Sequence, residues 1–161
     1  MELDTDIEGW ATGEWEALAV RAAQACADVA PQLANARMSA SLLLTSDEEV
    51  HALNREWRDR DKTTNVLSFP MLNREELLDL APDGPPVMLG DLVLAYETCA
   101  REAEAKSIPL DHHAAHLIVH GLLHLAGYDH EISEEDADNM EALEIQILAK
   151  LGIADPYTAR D

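Results

Sequence analysis

The stretch DHHAAHLIVHGLLHLAG, residues 111–127, constrains the fold more than any other part of this chain. It has helical length, it is the apolar one among the helical segments, and Pro109 and Gly127 bracket it, the glycine being suited to a left-handed C-terminal cap. A helix this apolar belongs at the centre of a fold. His116, His120 and His124 nevertheless recur along it at four-residue steps, so three imidazoles share one face of the central helix. His130 follows Gly127 by three residues, where a chain that turns back after the cap can approach the same point.

The flanking segments supply what this helix must pack against. Residues 14–30 place Trp15, Leu18, Ala22, Cys26 and Val29 at three- and four-residue steps, the mark of a helix with one buried face. ARMSASLLLT (36–45), TNVLSFP (64–70) and VMLGDLVLA (87–95) read as strands. Between the first two, Ser46 and Glu49 predict a capping box, followed by a helix to about residue 58 with Val50, Leu53 and Trp57 on one face. NREELLDLAPDG reads as an acidic surface excursion. After the strand at 87–95 comes an amphipathic helix that Pro109 ends. A last helix starts near Ser133, carries Met140, Leu143, Ile147 and Leu151, and stops at Gly152. The expectation is an α+β fold in which residues 1–161 form a single domain, a small mixed sheet packed with several helices and a metal site at the end of the central helix.

Size and charge narrow the function. A chain of 161 residues buries an adequate core without disulfides or a structural metal, which leaves any metal available for chemistry. Two cysteines, Cys26 and Cys99, form no CxxC pair and fit a reducing compartment. MELDTDIEGW has neither the basic start nor the apolar run of a signal peptide, and no apolar stretch approaches membrane-spanning length, so a cytoplasmic protein without membrane contact is expected. The net charge of −21, from 32 acidic and 11 basic side chains, repels polyanions at long range. Against this, Arg55, Arg58, Arg60 and Lys62 fall within eight positions and are the chain's only local relief from acidity.

His120, His124 and His130 are the candidate metal ligands. Two imidazoles one helical turn apart clamp an ion, and a third leaves one tetrahedral position open, as in a catalytic zinc site. Geometry and availability favour Zn2+ over nickel or copper. His116, one turn earlier, is a fourth neighbour or a group behind the ligands. Asp129 can accept an imidazole N–H, and Asp91, in an otherwise apolar strand beside Gly90, needs a partner of its own. His51, His112 and His113 read as surface or capping residues. The spacing HxxxHxxGxxH is shared with metzincin proteases, but the residue after the first ligand, a glutamate there, is Gly121 here. The peptidase therefore lacks its general base, while the glycine leaves room over the metal for a bulkier substrate.

Taken together, HxxVHGLLHLAGYDH, LNREWRDRDKTTNVLSFP (53–70) and LGDLVL (89–94) resemble the YbeY family of bacterial metal-dependent endoribonucleases, with all three motifs in the family's order. The resemblance implies an α+β fold, one zinc ion on His120, His124 and His130, and a catalytic role for Arg58. It also implies action on ribosomal RNA, in small-subunit 3′-end maturation and ribosome quality control. Arg58 otherwise reads as a surface arginine pairing with Glu56 or Asp59; near a metal, its guanidinium can hold a phosphodiester by two parallel bonds. Thr63 stands where the family usually has proline, which predicts a looser loop. Attack by activated water and attack by a neighbouring 2′-hydroxyl both remain open, and no general base is identified. Ribosomal RNA presented on ribosomal subunits, and ribosomal proteins, are the expected partners; DNA is not expected. The other classes consistent with the residues are a metallopeptidase, a zinc hydrolase for small molecules, and an acidic assembly adaptor that binds basic proteins.

Overall fold

Alternating buried and exposed residues in the strand segments build the sheet on which the rest of the protein is laid. The computed structural model describes residues 1–10, 13–128 and 134–157. Among these, four strands form one sheet: β1 (Glu2–Ile7), β2 (Met38–Thr45), β3 (Val66–Pro70) and β4 (Val87–Ala95), in the order β1-β2-β4-β3. β1 and β2 are parallel, β2 and β4 are parallel, and β3 runs antiparallel to β4 along the edge. The helices are α1 (Trp15–Val29), α2 (Asp47–Arg58), a short α3 (Arg74–Leu78), α4 (Tyr96–Ala105), α5 (Leu110–Leu125) and α6 (Glu134–Lys150). A protein with this mixed sheet and these helices is α+β, as the pattern predicts.

Two elements differ from the sequence reading. β1 went unseen because only Leu3 of ELDTDI is buried, so its alternation is nearly silent. The stretch read as a surface excursion contains α3, which starts with a true capping box: Asn73 Oδ1 accepts from the Glu76 amide at 2.8 Å and Glu76 Oε1 accepts from the Asn73 amide at 3.2 Å. Its Leu77 is buried in the core. At α2 the box is half formed. Ser46 accepts from the Glu49 amide, but the Glu49 carboxylate takes the Thr45 hydroxyl at 2.6 Å instead.

α5 is the central helix. It packs against β3 and β4 on one side and against α1, α4 and α6 on the others, which explains why so many of its residues are buried. Two glycines bring it close. A side chain at Gly121 would point at the sheet, its Cβ only 2.6 Å from Leu92 Cδ2. At Gly90, on β4, a Cβ would meet the Phe69 carbonyl at 2.5 Å and Leu125 at 2.7 Å. Gly121 is thus a packing residue. Its missing side chain is missing toward Leu92, which corrects the view that it clears space over a metal.

The helix ends as the glycine predicts. Gly127 has φ +93°, its amide bonds to the His124 carbonyl at 2.9 Å, and the Tyr128 amide bonds to the Leu123 carbonyl at 3.0 Å, the two bonds of a Schellman cap. Tyr128 is then held by Gln32, which donates to its hydroxyl at 2.8 Å, and by Arg74 over its ring. No helix among the described residues is long and apolar enough to cross a membrane.

Candidate active site

Three elements converge over the edge strand β3. α5 contributes His120, Gly121 and His124; β3 contributes Val66, Ser68 and Pro70; the end of α2 and the loop behind it contribute Asn54, Arg58, Arg60, Lys62 and Thr64. Together they line a groove of about 510 Å³. Among the described residues its lining holds three cations, two imidazoles and no carboxylate, in a chain with net charge −21. The basic cluster singled out in the sequence therefore faces the histidines across the strand.

The loop that carries these cations is ordered by a buried amide. Asn54, 2% exposed, donates through Nδ2 to the Lys62 carbonyl at 2.9 Å, while its main-chain carbonyl accepts from the Arg60 amide. Asp59 ends α2 in the left-handed region, with φ 54°, which turns the chain back toward Asn54. Thr63, where a looser loop was expected, tightens it: the hydroxyl donates to the Asp47 carbonyl at 3.2 Å. Arg58 Nη1 donates to the Ser68 carbonyl at 3.3 Å, which keeps the guanidinium against β3 and over the groove. Among the described residues Arg58 makes no ion pair, so the pairing with Glu56 or Asp59 considered above does not form; Asp61 is taken by Arg55 and His51.

His120 and His124 lie edge to face with ring centroids 4.7 Å apart. His120 Nδ1 bonds to Glu144 Oε1 at 2.5 Å. Burial alone would raise the Glu144 carboxyl, but the neighbouring imidazoles of His116 and His120, with help from Tyr157, outweigh it and hold the pKa at about 2. Glu144 is thus a carboxylate that only accepts, and the His120 proton must sit on Nδ1. Nε2 then carries the lone pair that a metal bond requires. An imidazole oriented through its other nitrogen by a buried carboxylate is the usual backing of a metal ligand, so the residues present fit a divalent ion. Among the described residues no three His, Cys, Asp or Glu side chains gather as a ligand set. His130 and Asp129 lie outside the described residues.

The remaining candidates divide. His116 is buried and turns to the Tyr157 hydroxyl at 3.2 Å instead of lining the groove. Asp91 does not join the histidines. Gly90 and Leu92 on either side of it face α5, so Asp91 projects from the opposite face, where it accepts a hydrogen bond from Ser41 on β2. His113, expected at the surface, is 1% exposed and bonds to Glu102 at 2.8 Å. Trp57, expected on the buried face of α2, is 68% exposed. Glu144 was missed although the signal was present: it sits on the same stripe of α6 as the buried Met140 and Ile147, and an acid among core positions needs donors.

Residues 4–152 match the family described as Endoribonuclease YbeY. A protein of that name from Erythrobacter litoralis is 66% identical over 160 residues, covering 99% of each chain. Another from Novosphingobium aromaticivorans is 55% identical over 162 residues, covering 100% of this chain and 97% of its own. The solution structure of TM1509 from Thermotoga maritima shares the fold, with a TM-score of 0.59 at 19% identity over 98% of this chain and 99% of that one. With a family match across nearly its whole length and relatives this similar, the chain belongs to the endoribonuclease YbeY family.

Proposed function

We propose that this chain cuts single-stranded RNA at internal phosphodiester bonds in the groove over β3, with ribosomal RNA as its substrate. Membership of the family makes it an RNA-cutting hydrolase. The observation that supports this site for the work is the groove lining itself, where, among the described residues, Arg58, Arg60 and Lys62 stand with two imidazoles and no acid. Such a cleft attracts a phosphodiester backbone that the rest of the surface repels.

Arg58 is placed to bind the reacting phosphate. Its tether to the Ser68 carbonyl orients the guanidinium, and its remaining N–H groups can grip two phosphate oxygens in parallel and stabilise charge that develops as the bond breaks. His120 and His124 would hold a divalent ion, zinc by preference, with His130 as third ligand. Bound there, the ion supplies Lewis-acid polarisation of a phosphoryl oxygen. Arg60 and Lys62 position the flanking backbone. The attacking group is a water or the neighbouring 2′-hydroxyl, and no side chain is assigned as its base.

The outer surface carries the acidity, so substrate presented on ribosomal subunits, whose proteins supply positive charge, is favoured over naked RNA. Two buried, unbridged cysteines support a cytoplasmic location. A peptidase is disfavoured sterically as well as chemically, since a glutamate at position 121 would be driven into Leu92. The deciding experiment compares zinc-loaded and chelated protein on single-stranded RNA, alone and with ribosomal subunits, beside Arg58→Ala and with casein as control substrate. Cutting that needs both zinc and Arg58, with casein intact, is the expected result. Robust casein hydrolysis without metal-dependent RNA cleavage would overturn the reading.

A further inference from the structure

A chain of hydrogen bonds runs from the C-terminal segment to the groove through four side chains. Glu144 is wholly buried, and its two oxygens take separate donors: the Tyr157 hydroxyl on Oε2 and His120 Nδ1 on Oε1. Because a carboxylate only accepts, both bonds have a fixed direction. The Tyr157 oxygen, its own proton committed to Glu144, accepts in turn from His116 Nε2 at 3.2 Å. His116 Nδ1 is buried and unpartnered among the described residues, which agrees with the proton lying on Nε2. Asp155 steadies the segment by accepting from the Tyr157 amide at 2.8 Å. Every donor in the chain therefore points toward Glu144.

We propose that Glu144, held in place by Tyr157, is a positioning residue that locks His120 in its Nδ1–H tautomer, so that Nε2 is kept as the metal-binding nitrogen. This rests on the reading of His120 as a metal ligand. Glu144 does the locking, because either carboxylate oxygen can only accept from His120, and Tyr157 holds the carboxylate in place through its other oxygen. The segment around residues 155–157 is thus part of the metal site through this carboxylate.

The substitution Glu144→Gln turns that constraint into a test. The amide can present either its oxygen or its NH2 to His120 Nδ1, so the Nδ1–H tautomer is no longer enforced. In the full-length, metal-free protein, long-range 15N–1H spectra of the histidine rings should show the Nδ1–H form of His120 in the wild type and a mixture with the Nε2–H form in Glu144→Gln. Zinc affinity, measured by competition with a chromogenic chelator, should fall about 10–100-fold. A merely structural Glu144 would lower the melting temperature without moving the tautomer, and that result overturns the proposal. If Glu144→Gln does not fold, the wild-type spectra alone carry the test, and an Nε2–H form of His120 there overturns the proposal. Failure of the wild type to take up zinc would overturn the metal reading itself and this inference with it, whereas normal uptake with an unchanged affinity in Glu144→Gln would overturn this inference alone.

Discussion

The closest approach between the site helix and the sheet makes Gly121→Ala the most informative single change. The added methyl would stand 2.6 Å from Leu92 Cδ2 and 3.1 Å from Cδ1, where unstrained carbons sit about 3.5–4.0 Å apart. Close to 1 Å of separation has to be found in a region where Leu92 is wholly buried. Inserting a methyl into a well-packed core typically costs about 1–3 kcal/mol. For a chain of this length each kcal/mol lowers the melting temperature by about 2–4 °C. Alanine gains about 1 kcal/mol over glycine within a helix, so a net loss of about 1 kcal/mol, or ~2–4 °C, is expected by urea unfolding and by thermal melting. Truncating the opposing residue completes the cycle. Leu92→Ala alone should cost about 2–5 kcal/mol through the cavity it leaves. In the double variant the methyl occupies part of that cavity, so the combined loss should fall short of the sum by about 0.5–3 kcal/mol. Strict additivity, or a Gly121→Ala protein as stable as wild type, would refute the argument that this glycine exists for helix–sheet contact.

Arg58→Ala should abolish most RNA cutting while changing stability by no more than about 0.5 kcal/mol, because the side chain is exposed and gives up one carbonyl bond; a matched loss of folding would assign it a structural role. Burial holds the His113 imidazole below its ordinary pKa, against the opposing pull of its bond to Glu102. The unfolded chain therefore binds the proton more readily, and stability should drop as pH falls below about 6.5. Urea midpoints at pH 7.5 and 5.5 should converge in His113→Gln relative to wild type, and an equal drop in both would remove His113 as a source. Burial also pushes the Cys26 and Cys99 thiols up to about 12, so a thiol reagent at neutral pH should label neither until the protein is unfolded; rapid labelling of native protein would contradict the packing around them.

Local features of this protein were legible in its residues because they depend on neighbours a few positions away. The helix cap at Gly127, the pairing of His120 with His124 and the stop of β3 at Pro70 all follow from short-range backbone geometry. Periodicity also identified the inner face of α2, yet it placed Trp57 there with Val50 and Leu53. The period says which way a residue points; how far the covering surface extends is decided by other segments, and at Trp57 it has run out. β1 shows the converse. Its charged, exposed alternate positions hide it, and it becomes a strand because β2 offers a parallel edge.

The sequence by itself thus determined the central helix, its imidazole pair, the basic cluster and, through its motifs, the family. Tertiary structure alone decided that Arg58 and the histidines share one groove across β3, that Asp91 turns to the other face of the sheet, and that Glu144 is the acid behind His120. Glu144 lies 24 residues from its partner, on another helix. A helix carries its own side chains on a fixed pitch, so spacing within it is set covalently, whereas contacts between segments depend on how their surfaces pack, and burial of a carboxylate is tolerated only where that packing delivers its donors.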